Sequence, residues 1–145
     1  FAYLSKHDGR YSGPIYKAQA RMNDADRGRK FVKARYHEDF EPRLKQAYPG
    51  IPWSSIAIIK MPNPFLYMYG ISQAETEAGE IQLAHNSGML TLVHELAHFI
   101  VPGAGHIEPF PQVLLSVIET LYDSDTAEKL ALAFEETGAL KRDNE

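Results

Sequence analysis

The clearest alternation of apolar and polar positions lies just past the middle of the chain. From Glu80 to Ala84 (EIQLA) the residues alternate, so Ile81 and Leu83 are predicted to face a core while Glu80 and Gln82 face outward. This is the pattern of a half-exposed strand, expected at a sheet edge. Beyond about Gly88 the period changes. Met89, Leu92, Val93, Leu96 and Ile100 recur at intervals of three and four, and Leu90, Ala97 and Val101 make a second side apolar. A largely buried helix is predicted from about Gly88 to Val101. Pro102 ends it, because the residue before a proline avoids the helical region, and Gly103 and Gly105 let the chain turn sharply.

The remaining elements are predicted by the same criteria. After turn-like HDG and SGP segments, Ile15 to Met22 reads as a short strand. Asp24 to Tyr48 reads as helix, kinked or restarted at Pro42, and Pro49-Gly50 closes it. Ile56 to Met61 (IAIIKM) is an apolar run bounded by Ser-Ser and Pro, which fits a buried strand. Tyrosine-rich Leu66 to Ser72 is a second strand candidate. A helix from about Pro111 to Tyr122 follows the glycine turn. The last helix is expected to begin at Ser124-Asp125, with Asp125 and Glu128 as a capping pair, and to stop at Gly138. No repeat or linker divides the chain, and its 145 residues are expected to form one domain over 1–145.

Charge sharpens this picture. The net charge is only -4, yet residues 1 to 60 carry 12 Lys and Arg against 6 acids, whereas residues 61 to 128 carry 9 acids and no base. A clamp for a free substrate carboxylate must then come from the first sixty residues, which argues against a carboxypeptidase. An acidic cleft favours neutral or basic peptides and repels nucleic-acid phosphates. The chain has no cysteine, so any metal must be held by His, Asp or Glu. No apolar run is long enough to span a membrane. The start at Phe1 suggests a trimmed chain from which a targeting segment could have been removed. Composition does not fix the compartment; a cytoplasmic location is the expectation.

Candidate chemistry is concentrated in VHELAHFIVPGAGHIEPF, Val93 to Phe110, which holds three of the six histidines. His94 and His98 are four apart on the predicted helix, so they lie one turn apart on one face and can converge on one ion. Glu95 is placed to reach a water on that ion as general base. A catalytic zinc needs three protein ligands and an open position. The glycine-proline turn can return His106 as the third, with Glu108, Glu119 and Asp123 as rival ligands. The alternative is a set of satisfied core histidines. Two imidazoles and a carboxylate on one otherwise apolar helix would each need a buried partner, however, and a single divalent ion serves all three. His7, His37 and His85 are expected to be ordinary surface or loop residues.

His94-Glu95-x-x-His98 is the zincin motif, and His106-x-x-x-Phe110 opening a helix resembles an element of a family of small actinobacterial metallohydrolases. More distantly the segment is similar to SprT-like and WLM-type zinc proteases. The resemblance runs from about Tyr16 to Gly138, and only the metal segment is specific. Ile107 stands where the small family usually has glycine. The resemblance implies that His94, His98 and His106 carry zinc and that Glu95 is catalytic. It implies an α+β, zincin-like domain: a small twisted sheet, the motif helix packed against it, and C-terminal closing helices.

The resulting expectation is a zinc-dependent hydrolase, a peptidase using a metal-activated water and Glu95 as general base. Tyr67, Tyr69, His85 and Tyr122 are unranked candidates for stabilising an oxyanion, and Glu119 or Asp123 for orienting a ligand imidazole. Were Glu80 to Ala84 an edge strand beside the site, an extended peptide could pair with it. Two rivals belong to other classes. One is a metal-stabilised binding module without turnover, which would have no need of Glu95. The other is a nucleic-acid-associated protease whose basic surface is Arg27, Arg29, Lys30, Lys33 and Arg35. Those five residues are too close together to share one helical face and have Asp24 and Asp26 beside them, so a solvated helix is the expected reading.

Overall fold

The computed structural model describes residues 14–20, 22, 28–85 and 87–139. The HDG turn, His7, Asp24, Asp26 and Arg27 lie outside these. The protein is mixed α+β, and the chain divides into two compact units, Asp24–Pro102 and Phe1–Asn23 with Gly103–Glu145. Among the described residues no helix is long and apolar enough to cross a membrane.

The central unit begins with helix α2 (Arg29–Arg35), a π turn (Tyr36–Phe40) and helix α3 (Glu41–Ala47). The predicted interruption at Pro42 is thus a widened turn just before the proline. Proline has no N–H for the regular ladder, and the π turn passes the chain into α3 with Pro42 in its first turn. Val32, Tyr36, Phe40 and Leu44, spaced by four, are all fully buried. Tyr36 donates its hydroxyl hydrogen to the Trp53 carbonyl at 2.8 Å, which anchors this helical run to the segment before β1.

Strands β1 (Ala57–Lys60), β2 (Gln73–Glu75) and β3 (Glu80–Leu83) form a sheet of order β1-β3-β2. β1 runs parallel to β3, with Ile58 opposite Ile81, and β2 runs antiparallel to it, with Ala74 opposite Ile81. The alternation predicted for EIQLA is present: Ile81 and Leu83 are fully buried and Glu80 and Gln82 half-buried. Its expected edge position is not. β3 is the central strand and is paired on both sides, so its backbone is already engaged and cannot accept an added peptide strand.

The second strand expected, Leu66 to Ser72, is corrected to a short helix, α4 (Pro64–Met68), followed by β2. Asn63 accepts hydrogen bonds from the N–H groups of Phe65 (2.9 Å) and Leu66 (3.2 Å), and Pro64 occupies the first turn. An Asn cap and a proline at the helix start outweigh the β preference of two tyrosines.

Helix α5 (Met89–Ile100) packs against β2 and β3. Its start is fixed by a serine clasp. Ser72 Oγ accepts from the Ala84 N–H at 2.8 Å and lies 2.9 Å from Ser87 Oγ, while Ser87 Oγ donates to the Ala84 carbonyl at 2.9 Å. All three residues are buried, so the passage from β3 into α5 is held by bonds that water does not weaken.

The second unit contains helices α1 (Pro14–Gln19), α6 (Phe110–Leu121) and α7 (Ser124–Thr137), with α7 against both others. Where a strand was expected over Ile15 to Met22, the chain is helical over Pro14–Gln19. Pro14 is pre-organised for a first helical position, and Ile15 and Ala18, three apart, are both buried. Thr137 donates its hydroxyl hydrogen to the Pro14 carbonyl at 3.0 Å, tying the end of α7 to the start of α1. The cap of α7 is Asp123, not the expected Asp125 and Glu128 pair: its Oδ1 accepts from the Thr126 N–H at 2.6 Å. Gly138 ends α7 in the left-handed conformation, as expected, at φ 85°.

Candidate metal centre

Twelve residues of α5 carry the histidine motif, and eight of them are buried, from Met89 and Leu90 through Leu92 to Ala97. Leu92, Val93 and Leu96 are fully buried. At about 1.5–3 kcal/mol each, they offset the roughly 1–3 kcal/mol that burying a polar group costs. The helix can therefore hold His94 and Glu95, 1% and 3% exposed, inside the protein. None of His94, Glu95, His98 and His106 is without an interaction partner.

The rings of His94 and His98 meet edge to face, with centroids 5.1 Å apart and planes inclined by 66°. At about 100° per residue, Glu95 stands about 60° around the helix axis from His98 and about 100° from His94.

α5 gives way at Val101, which leaves helical geometry at φ -131° and ψ 68° ahead of Pro102. Gly105 then takes φ +62°, a conformation that disfavours any side chain. Beyond it the backbone is held by the Ile107 N–H on the Ala104 carbonyl (3.4 Å) and the Phe110 N–H on the Ile107 carbonyl (2.8 Å). Phe110, fully buried at the start of α6, presents its ring to His106 at 5.2 Å and 72°. Turn and aromatic contact together orient the His106 imidazole.

Each of His94, His98 and His106 offers one ring nitrogen, and these atoms all lie within 4.8 Å of one another. His94 is buried and the other two half-buried. Among the described residues this is the one group of three or more His, Asp or Glu side chains able to hold a metal ion. The donor set suits a borderline cation such as zinc.

The rival ligands are placed otherwise. Glu108 and Glu119 are exposed outside the trio, and exposed Asp123 caps α7. The Thr126 backbone N–H, followed by its side chain, holds the Asp123 carboxyl below the usual carboxylate range.

The four proposed oxyanion helpers occupy different surroundings. Tyr67 lies under the Lys60 ammonium, 4.8 Å from the ring centroid, and meets the ring of exposed His85 at 5.9 Å. Tyr69 stacks on Phe65 at 4.6 Å, and Tyr122 is half-buried at the end of α6. Within the basic cluster Arg35 pairs with Asp39 at 3.2 Å, and Lys30 and Lys33 are exposed. His37, as expected, is a surface residue, 2.9 Å from Glu41. The Ser72–Ser87 clasp was not foreseen from sequence; isolated serines in loops carry no spacing signal.

No protein-family model, curated protein or solved structure matches this chain.

Proposed function

We propose that the protein is a zinc-dependent hydrolase acting on peptide bonds, with His94, His98 and His106 as metal ligands and Glu95 as general base. The observation that carries this reading is the convergence of one ring nitrogen each from His94, His98 and His106 within 4.8 Å, together with a buried carboxylate, Glu95, on the helix that bears the first two. Bound there, zinc would act as a Lewis acid toward a carbonyl oxygen and acidify an attacking water.

The chain's own residues would do the rest. His94 and His98 supply donors from a helix whose start is clasped by Ser72 and Ser87, so their spacing is preset. His106 is steadied by the Phe110 ring. Glu95 takes a proton from the attacking water and passes it to the leaving amine. A structural metal site would have no use for that carboxylate. With no basic residue between Lys60 and Lys129, neutral or basic peptides are the favoured substrates and nucleic acid is disfavoured.

The test is the Glu95→Gln variant. It should keep bound metal and lose hydrolysis of a peptide library by about a hundredfold or more. Wild-type protein that holds metal but cuts no peptide would instead favour a non-catalytic, metal-stabilised binding module.

A further inference from the structure

Ile107 follows His106 directly and is 76% exposed, more than any other large apolar side chain among the described residues. Its backbone is pinned on both sides: its N–H donates to the Ala104 carbonyl and its carbonyl accepts from the Phe110 N–H at 2.8 Å. Its neighbours Glu108 and Pro109 are exposed and offer it no cover. A β-branched side chain is stiff about its first torsion, so the aliphatic group is held out with little freedom to fold back. Scattered exposed apolar residues are ordinary on protein surfaces. This one differs in being fixed one residue, about 3.8 Å along the chain, from a metal-ligand candidate.

We propose that Ile107 is a specificity-determining residue, forming an apolar contact for the substrate side chain that flanks the reacting carbonyl. The substrates are then peptides with an aliphatic residue beside the cleaved bond. The inference rests on the reading of His106 as a ligand given above. Contact with a substrate aliphatic group removes apolar surface of both partners from water, which supplies discrimination of about tenfold or more between an aliphatic side chain and none.

The experiment uses the full chain loaded with zinc, its metal content measured first, and two non-cleavable peptide hydroxamates. These differ only in carrying an isobutyl group or a hydrogen beside the chelating group. Calorimetry on wild type should give at least about tenfold tighter binding of the isobutyl compound. Ile107→Ala should bring the two within about twofold by weakening only the isobutyl compound, and Ile107→Leu should retain the preference. Both variants should keep wild-type zinc content and circular dichroism, since Ile107 is outside the core. Equal affinities in wild type, or a preference unchanged in Ile107→Ala, would overturn the inference while leaving the metal reading intact. A chain that takes up no zinc would overturn both.

Discussion

His94 and His98 stand one helical turn apart on α5, their ring centroids separated by 5.1 Å. Two histidines on one rigid helix would give up little freedom on joining an ion, so zinc binding there should register as folding stability. Zinc at about a hundred times its dissociation constant contributes about 2.7 kcal/mol. For a chain of this size that is a rise in Tm of about 5–10 °C. Differential scanning calorimetry with and without zinc should show the rise in wild type, its reversal by chelator, and its absence in His98→Ala. An equal rise in His98→Ala would remove that residue from the ligand set.

Asp123 caps α7 through the Thr126 N–H, and that bond lowers its carboxyl pKa. A carboxylate depressed by folding stabilises the protein above the unfolded value of about 3.9, and the contribution is lost as pH falls through the folded value. Asp123→Ala should lower Tm by a few degrees at neutral pH, and the deficit should shrink in acid below about pH 4. Asp123→Asn, which keeps an acceptor without a charge, should restore only the part of the neutral-pH loss that does not depend on the charge, and its remaining deficit should shrink in acid. Thermal melts of the three proteins across pH check this; a deficit independent of pH would contradict it.

Burial, and secondarily the Glu41 charge, push the Tyr36 hydroxyl pKa well above its ordinary value. The folded state therefore keeps a proton that the unfolded chain releases. That stability is complete below about pH 10 and is lost as pH rises from there toward the folded value. Tyr36→Phe should cost about 1–2 kcal/mol at neutral pH by leaving the Trp53 carbonyl without its 2.8 Å partner. It should also flatten the alkaline loss of stability. Urea titrations at pH 8 and pH 11 measure both effects, and an equally steep alkaline loss in the variant would refute the second.

The long elements were legible because many residues vote on each. α5 repeats its apolar spacing over three turns, and α6 likewise, so neither could be mistaken for a strand. Short apolar runs were less so. Leu66 to Ser72 holds too few residues to separate one helical turn from a strand, and Asn63 with Pro64 decides the matter locally. For Ile15 to Met22 the deciding features were Pro14 and the spacing of Ile15 and Ala18. The central position of β3 was not legible, because it depends on pairing with β1, which ends 20 residues before β3 begins. Helical spacing placed His94 and His98 together, and the glycine turn allowed His106 to join them. The Ser72–Ser87 clasp joins loop residues 15 apart and has no periodic trace in the chain.

Elemental analysis of the purified, dialysed chain tests the central claim most directly, with His94→Ala, His98→Ala and His106→Ala measured alongside. About one zinc ion per wild-type chain is predicted, with near-complete loss in each variant. A wild-type chain that retains no metal after incubation with zinc, or variants that retain as much as wild type, would contradict it.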